Sequence, residues 1–189
     1  MKLVILDRDG TLNEDRDDFV KSPDEWVPLP GALEAVARLN RAGWKAVVAT
    51  NQSGLARGLF DRAALDAMHA KMNQLLAQHG GRVEAVYFCP HGPGEGCDCR
   101  KPLPGLFRRI GEDLQIDLRG VPTVGDTLRD LQAGAALGCE THLVLTGKAA
   151  RLDAAGVDAV CRGVPGTTVH ASLSAFADAL IGRDAPACR

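Results

Sequence analysis

Two aspartates near the start of the chain, Asp7 and Asp9, could act together on one substrate atom. They directly follow the short apolar run 3–6, whose Val and Ile predict a buried strand. Residues i and i+2 of an extended chain point to the same side, and Gly10 permits a tight turn beside them. Two carboxylates at one spot repel each other unless a cation lies between them or one is protonated. The pair therefore predicts a metal site that contains a nucleophile and an acid/base group.

Three further polar segments supply complementary groups. Thr50 offers a hydroxyl, and the loop that follows it offers backbone N–H groups suited to phosphate oxygens. Lys101 supplies a compact positive charge that can neutralise a phosphoryl group and keep Asp7 ionised. Asp126 can hold Mg²⁺ together with Asp7. Phosphoryl transfer depends chiefly on positioning and charge neutralisation, so these segments predict that chemistry.

An alternation of strands and helices must position these segments. The apolar patterns predict strands at 3–7, 46–50, 83–88, 121–124 and 142–145, and a short sixth strand at Val157–Val160. They predict helices at 31–42 and 173–181, one capped by Asp61, and one from Leu128 that stops at Gly138. This order predicts an α/β fold with a doubly wound, mostly parallel sheet and helices on both faces. The carboxyl ends of parallel strands would then bring the polar segments to one edge.

Length and composition narrow the class of protein. The 189 residues suit one domain, expected over 1–182 and followed by a loose tail at 183–189. A net charge of −2 gives no electrostatic case for a nucleic-acid partner. No stretch approaches the roughly 20 apolar residues of a membrane span. We expect a cytoplasmic protein, with a monomer as the default state.

A compact cysteine loop, residues 89–99, predicts a second metal site. Its four candidate ligands are Cys89, His91, Cys97 and Cys99. Three thiolates and an imidazole form a closed tetrahedral set that is typical of structural zinc. In a reducing cytoplasm such a cluster favours metal binding over disulfides. The loop would hold Arg100 and Lys101 rigidly beside the phosphate.

The set DRDGT, TNQ, the lysine of CRKP and GDxxxD resembles the four signature motifs of haloacid dehalogenase-superfamily phosphatases. The motifs occur in the family's order and span roughly residues 3–145. The resemblance implies that Asp7 attacks phosphorus to give an aspartyl-phosphate. It implies that Asp9 protonates the leaving alkoxide and later deprotonates the hydrolytic water. Thr50 and Lys101 would grip the phosphoryl oxygens.

The same resemblance implies the magnesium site and the cover of the active site. Asp126, Asp7 and the backbone carbonyl of Asp9 would bind Mg²⁺, and Asp130 would orient that shell. Roughly forty residues separate the first two motifs and roughly fifty the next two, too few for a separate cap domain. We therefore expect a Rossmann-like fold without a large cap. Loops 13–28, 53–60 and the cysteine loop would select the substrate.

The cysteine loop and the segments SPDEWVPLPGA, TNQSGLARGLF and CDCRKPLPG are similar to the family of heptose 1,7-bisphosphate 7-phosphatases. Members remove the C7 phosphate of D-glycero-D-manno-heptose 1,7-bisphosphate during synthesis of nucleotide-activated heptose for lipopolysaccharide. The resemblance implies a small phosphorylated sugar as substrate. Its expected contacts are Asn51, Gln52, Ser53, Arg57 and Arg100. The two arginines would bind the phosphate that stays.

Four alternatives remain open on the sequence. Histidinol-phosphate phosphatases share the DRDGTL, TNQ and zinc-loop pattern, but lack an arginine equivalent to Arg57. A phospho-acceptor signalling domain has no use for Asp9 or for a zinc loop. A nucleic-acid 3′-phosphatase shares the DxDGT core and would want a basic groove. In a zinc-dependent interaction module, Asp7→Asn would leave function intact.

Overall fold

One parallel sheet with helices on both faces organises the chain. The computed structural model describes residues 1–184. The strands are β1 (Leu3–Leu6), β2 (Lys45–Asn51), β3 (Ala85–Cys89), β4 (Pro122–Gly125), β5 (Glu140–Val144) and β6 (Thr168–His170). The helices are α1 (Ala32–Arg41), α2 (Arg62–Gln78), α3 (Gly105–Leu114), α4 (Leu128–Ala135), α5 (Ala154–Gly163) and α6 (Leu173–Asp184), with a 3₁₀ turn at Ala149–Arg151. The strand order is β3-β2-β1-β4-β5-β6, all parallel, which confirms the predicted fold class.

The two faces of the sheet bury alternate residues of the same strands. Val4 and Leu6 of β1 point into a core built with α1, α2 and α6. Leu3 and Ile5 point the other way, into a core that contains Phe107 of α3. Side chains of a strand alternate between faces, and helices cover both faces of a parallel sheet. This explains why β1 is apolar throughout rather than alternating with polar residues.

The centre of the sheet places the first motif beside the last one. β1 pairs with β2 on one side and with β4 on the other, so the chain winds outward in opposite directions from this point. The backbone N–H of Asp7 continues the ladder by donating to the Val124 carbonyl at 2.9 Å. Ligands of open α/β sheets bind beyond the carboxyl ends of strands at such a reversal. Asp7 and Asp126 therefore lie next to each other at the expected position.

Local signals fix the ends of the helices near this edge. The Asp61 side chain accepts from the Ala64 N–H at 2.8 Å and caps α2. At the start of α4, Thr127 and Asp130 form a reciprocal capping box. The cap at Asp61 confirms the sequence expectation, whereas the capping box at Thr127 was not among the expected features. The second cap also fixes Asp130 at the site.

The predicted sixth strand is wrong: Val157–Val160 lies in α5, and the sixth strand is β6 instead. The Asp153 side chain accepts from the Gly156 N–H at 2.8 Å and so starts the helix. The two valines then pack beside Leu131 of α4. A short apolar run does not distinguish a strand from a helix by periodicity alone. Packing against neighbouring elements decided it here.

The connections agree with a site covered by loops. Residues 7–31 form a long connection with two isolated bridges, and within residues 1–184 no further domain is inserted beside the sheet. The helix α3, absent from the sequence expectation, fills the connection from Lys101 to β4. The helix α6 extends to Asp184, past the expected domain end at 182, and tail residues 185–189 lie outside the described residues. Among residues 1–184, no helix is long and apolar enough to cross a bilayer.

Candidate active site

A cavity of about 330 Å³ opens at the carboxyl edge of the sheet. Side chains from all four motifs and from the loops around them line it. The predicted residues on its walls are Asp7, Asp9, Thr50, Asn51, Gln52, Ser53, Arg57, Arg100, Lys101, Asp126 and Asp130. The structure therefore brings together every residue expected to act in catalysis or to contact substrate.

A buried lysine occupies the floor of the cavity. Lys101 Nζ donates to Asp7 Oδ1 and to the Ala49 carbonyl, both at 2.8 Å, and is paired with Asp130 Oδ1 at 2.6 Å. Its side chain is only 2% exposed. Burial favours the neutral amine, but the two carboxylates overcome it and raise the pKa of Lys101. The amine is therefore a fixed positive charge beside Asp7.

Three carboxylates on this floor carry more negative charge than the lysine balances. Oxygen atoms of Asp7, Asp126 and Asp130 lie within 4.8 Å of one another. Burial, and then the charge of Asp130, raise the pKa of both Asp7 and Asp126. Buried carboxyl groups shift in this direction when positive charge is lacking. The set has the oxygen ligands and the excess charge that a hard divalent cation requires.

Two glycines allow the Asp126 carboxylate to reach this position. A Cβ on Gly10 or on Gly147 would lie 2.2 Å from Asp126 Oδ2, and both residues have positive φ, +82° and +53°. Any side chain there would collide with the carboxylate. The N–H of Lys148 donates to the same oxygen at 2.6 Å. The turn after β5 thus orients Asp126, a contribution that the sequence analysis missed.

Asp9 lies in an electrostatic environment opposite to that of Asp7. Its carboxylate accepts hydrogen bonds from Arg8, Asn13 and Gln52. Burial alone would raise its pKa, but Arg8 and these hydrogen bonds outweigh burial and lower the pKa of Asp9. The side chain is still 22% exposed toward the cavity. Asp9 is therefore an oriented carboxylate that remains accessible to a bound substrate.

Asn51 and Gln52 hold other site residues, which differs from the substrate contacts expected for them. Asn51 accepts from the Lys101 N–H at 3.0 Å and donates to the Lys101 carbonyl at 3.1 Å. Gln52 donates to Thr50 Oγ1 and to Asp9 Oδ2, both at 2.9 Å. An amide has two donors and one carbonyl oxygen, so these bonds occupy both Gln52 donors. Sequence spacing placed both amides at the site but could not reveal their partners.

The cysteine loop gathers its four candidate ligands as expected. Cys89 Sγ lies 3.0 Å from Cys99 Sγ, 3.7 Å from Cys97 Sγ and 3.6 Å from His91 Nδ1, and no disulfide joins the thiols. Zinc ligands at tetrahedral corners are separated by about 3.8 Å for Zn–S bonds of about 2.3 Å. Burial raises the pKa of the Cys89 thiol, so a cation is needed to keep it as thiolate. The chemistry and spacing of this set fit zinc.

Charged side chains on loops form the rim of the cavity. Lys148 pairs with Asp15 at 2.6 Å, and Arg151 pairs with Asp17 at 3.1 Å. The Arg57 guanidinium lies over the Phe19 ring, 5.4 Å from its centroid. These contacts join loop 13–28 to the loops after β2 and β5. Loops 13–28 and 53–60 were expected to select the substrate, whereas the loop after β5 was not, and among the described residues none of the cysteine loop 89–99 lines the cavity.

Arg129 and Lys148 line the cavity but were not among the expected site residues. Lys148 follows β5, so the rule that sites lie beyond the carboxyl ends of parallel strands could have found it. Arg129 stands inside the GDxxxD motif, at a variable position. A variable position in a motif carries no signal of its own, so only the tertiary structure identifies Arg129.

Comparison with known proteins gives two family matches. Residues 2–130 match the family described as polynucleotide kinase 3 phosphatase, and residues 98–173 match the HAD-hydrolase-like family. The first match covers all four motifs, and the second covers the lysine and GDxxxD motifs. Both therefore rest on the constellation described above.

Individual relatives are similar over nearly the whole chain. The D-glycero-beta-D-manno-heptose-1,7-bisphosphate 7-phosphatase of Bordetella bronchiseptica is 58% identical over 96% of this chain and 98% of its own length. Its counterpart from Pseudomonas aeruginosa is 51% identical over 95% of this chain and 97% of its own.

Solved structures agree with these relatives. The D,D-heptose 1,7-bisphosphate phosphatase of B. bronchiseptica, complexed with magnesium and phosphate, superposes with a TM-score of 0.89 at 56% identity, covering 97% of this chain and 99% of that one. The enzyme from Burkholderia thailandensis gives a TM-score of 0.74 at 50% identity, covering 96% and 99%. The chain therefore belongs to the haloacid dehalogenase superfamily and, within it, to the family of heptose 1,7-bisphosphate 7-phosphatases.

Proposed function

We propose that this chain is a Mg²⁺-dependent phosphomonoesterase that removes the C7 phosphate of D-glycero-β-D-manno-heptose 1,7-bisphosphate. The observation that carries the proposal is the buried floor of the cavity. There Asp7, Lys101, Asp126 and Asp130 assemble a nucleophile, a fixed cation and a cation-binding carboxylate set. The substrate and its β anomer follow the names of relatives that are 51–58% identical over nearly the whole chain.

In the first step an Asp7 oxygen attacks phosphorus while the bond from phosphorus to the C7 oxygen breaks. Asp9 takes up a proton when the phosphate dianion binds beside it, because the added negative charge favours the neutral carboxyl, and gives that proton to the departing alkoxide, so that the sugar leaves as an alcohol. In the second step Asp9 takes a proton from water, the water oxygen bonds to phosphorus, and the aspartyl-phosphate bond breaks. Thr50 Oγ1 and Lys101 Nζ neutralise and orient the phosphoryl oxygens throughout.

Asp7, Asp126 and the backbone carbonyl of Asp9 would hold Mg²⁺. Bound there, the ion supplies charge neutralisation for the phosphoryl oxygens. The raised pKa of Asp7 and of Asp126 supports this assignment, because burial and then the charge of Asp130 disfavour their ionised forms, which a bound cation would favour. Asp130 holds Lys101 and orients the shell through its fixed carboxylate.

The phosphate at C1 must bind at the rim. Arg57 and Arg100 both line the cavity there and can donate to phosphate oxygens in pairs. The Phe19 ring beneath Arg57 limits the freedom of its guanidinium without neutralising it. Ser53 lines the cavity between this rim and the floor and is proposed to contact the sugar.

Cys89, His91, Cys97 and Cys99 are proposed to bind one structural zinc ion. The Arg100 guanidinium donates to the His91 carbonyl at 3.3 Å, so the cysteine loop and the rim are directly connected. A metal in this loop would therefore stabilise Arg100 and the neighbouring Lys101. The single domain of residues 1–182 carries the whole site, which supports action as a monomer. A cysteine cluster assigned to a metal rather than to disulfides is consistent with the proposed cytoplasmic location.

The test is Mg²⁺-dependent phosphate release from a panel of phosphate esters. It contains both anomers of heptose 1,7-bisphosphate, histidinol phosphate, fructose 1,6-bisphosphate and a 3′-phosphorylated oligonucleotide. We expect kcat/KM for the β-heptose bisphosphate to lead by at least about 10²-fold. A lead by histidinol phosphate, or by the oligonucleotide suggested by the polynucleotide 3′-phosphatase match, would contradict the proposed substrate.

Zinc binding is tested by metal analysis of purified variants. We expect about one zinc per chain in the wild type and its loss in Cys97→Ser. Cys161→Ser is the matched control, because Cys161 is half-buried in α5 and belongs to no candidate metal site among the described residues. Equal zinc content in both variants would contradict the assigned ligand set.

A further inference from the structure

Arg8, between the two catalytic aspartates, has no assigned role, yet its side chain is completely buried. Its guanidinium turns toward Asp9. The Nε atom donates to Asp9 Oδ1 at 3.1 Å, and Nη2 lies 2.9 Å from Oδ1 and 3.1 Å from Oδ2. Arginine is always charged, and its planar fork matches a carboxylate. Arg8, the sequence neighbour of Asp9, therefore supplies three of the contacts that orient the Asp9 side chain, beside those from Asn13 and Gln52.

His69 of α2 and Gln52 accept the remaining bonds of this guanidinium. Arg8 Nη1 lies 3.2 Å from His69 Nε2, and Nη2 donates to Gln52 Oε1 at 3.1 Å. A guanidinium only donates, so His69 Nε2 must accept and the ring proton must be on Nδ1. Burial, and then the Arg8 charge, lower the pKa of His69 to about 4. The imidazole is therefore neutral at physiological pH, as an acceptor must be.

We propose that Arg8 is the positioning residue of Asp9 and that His69 holds Arg8 in its working orientation. Among residues 1–184 no cap domain lies above Asp9 to orient it from outside. The orientation must then come from the groups that hold its carboxylate from within the domain, namely Arg8, Asn13 and Gln52. A misplacement of about 1 Å at a reacting group costs about 10²-fold in rate. The inference rests on the proposed function, because it assumes that Asp9 is the proton donor and acceptor.

The positioning role of Arg8 can be tested by changing the leaving group of the first chemical step. Phosphoryl transfer to Asp7 needs a proton from Asp9 when the leaving group is a basic sugar alkoxide. It needs none when the leaving group is 4-nitrophenolate, which departs as the anion. Misorientation of Asp9 therefore slows phosphoenzyme formation from the sugar ester more than from 4-nitrophenyl phosphate. General loosening of the fold would slow both.

The experiment measures phosphoenzyme formation by rapid quench with both esters, in the wild type and in His69→Leu. We expect His69→Leu to lose at least about tenfold more rate with the heptose bisphosphate than with 4-nitrophenyl phosphate. His69→Gln places an acceptor oxygen near the position of Nε2, and we expect it to bring the ratio within about threefold of wild type. Equal losses with both esters, or no rescue by glutamine, would overturn the proposal.

Two controls keep the result interpretable. Thermal melting verifies that His69→Leu folds. If it does not fold, the same ratio is measured in Arg8→Lys, which keeps the buried charge but lacks the fork; equal losses there overturn the proposal as well. If the wild type hydrolyses another alkyl phosphate but not the heptose bisphosphate, the proposed substrate is wrong. The ratio is then measured with that alkyl ester, and the Arg8 proposal is tested separately.

Discussion

The floor and the rim of the cavity are both built from ion pairs, but they differ in burial. On the floor, Lys101 and its two carboxylate partners are between 2% and 10% exposed. On the rim, Lys148 and Asp17 are 51% and 76% exposed. Water screens exposed pairs, whereas a buried charge without its partner is costly. The floor can therefore hold a fixed geometry for chemistry, while the rim can adjust to the substrate.

Asp7 and Asp9 show that two neighbouring carboxylates of the same cavity can have pKa values shifted in opposite directions. They are two residues apart, but burial and Asp130 raise the pKa of Asp7, while Arg8 lowers the pKa of Asp9. Different roles for paired carboxylates require different environments. Here Asp130, at the start of the helix that follows the neighbouring strand β4, and Arg8, next in the sequence to Asp9, produce that difference.

Replacement of the nucleophile should have the largest effect. We expect Asp7→Asn to lower kcat by about 10⁴-fold or more, because an amide does not attack phosphorus. The same change removes a carboxylate that its crowded floor holds at a raised pKa. In magnesium-free buffer the melting temperature should therefore be equal to or above that of wild type. Steady-state phosphate release and calorimetry measure the two quantities, and a large loss of stability would contradict the description of the floor.

Lys101→Met should be the most destabilising change on the floor. It leaves Asp7 and Asp130 buried without their cation, and we expect a loss of about 3–5 kcal/mol in the free energy of unfolding. Urea denaturation at pH 7 measures it. Lys2→Met, at an exposed position over the Trp44 ring, serves as the matched lysine control. A loss below about 1 kcal/mol for Lys101→Met would mean that the floor behaves like the rim.

A partly buried contact between two histidines beside Glu140 extends the comparison to groups that are neutral at pH 7. His142 Nδ1 lies 3.1 Å from His170 Nε2, and burial lowers the pKa of His142 to about 4 and also lowers the pKa of His170. The unfolded chain binds protons below about pH 6.5, so this stability is complete above that pH. It is lost as the pH falls toward 4.

We expect His142→Leu to flatten the fall in stability between pH 6.5 and pH 4. The flattening should be at most about 3 kcal/mol, because a shift of one pKa unit corresponds to about 1.4 kcal/mol. Urea denaturation at several pH values, compared with wild type, measures it. Subtracting one pH curve from the other removes the titration of Asp7 and Asp126, whose raised pKa values make the fold more stable as the pH falls. Parallel pH curves would contradict the neutral histidine pair.

The rim should give the smallest effect on stability. We expect Lys148→Met to change the free energy of unfolding by about 1 kcal/mol or less, because Lys148 is half-exposed. Asp15 loses its ion-pair partner in this variant, and we expect the change to raise KM for the bisphosphate more than KM for 4-nitrophenyl phosphate. The control is Arg183→Met, which breaks the exposed pair with Glu140 at the start of β5. Equal effects of both variants on KM would remove the proposed difference between floor and rim.

The part of this site that could be predicted from the sequence consists of residues at the carboxyl ends of strands. Asp7, Thr50 and Asp126 each follow an apolar strand, and a parallel sheet has one carboxyl edge, so their meeting follows from sequence order. The roles of Asn51 and Gln52 could not be predicted, because an amide binds whatever partner the fold presents. The error at Val157–Val160 has the same origin, since its short apolar run fits a strand or a helix equally well.

The sequence by itself determined the fold class, the motif residues and the cysteine loop, because these depend on residue type, spacing and order along the chain. The tertiary structure decided which carboxylate is protonated more readily, which amides are occupied and which glycines make room for Asp126. Those properties depend on burial and on partners that are distant in the chain. Residue types and their spacing show which chemical groups are available, and packing determines which of their atoms can react.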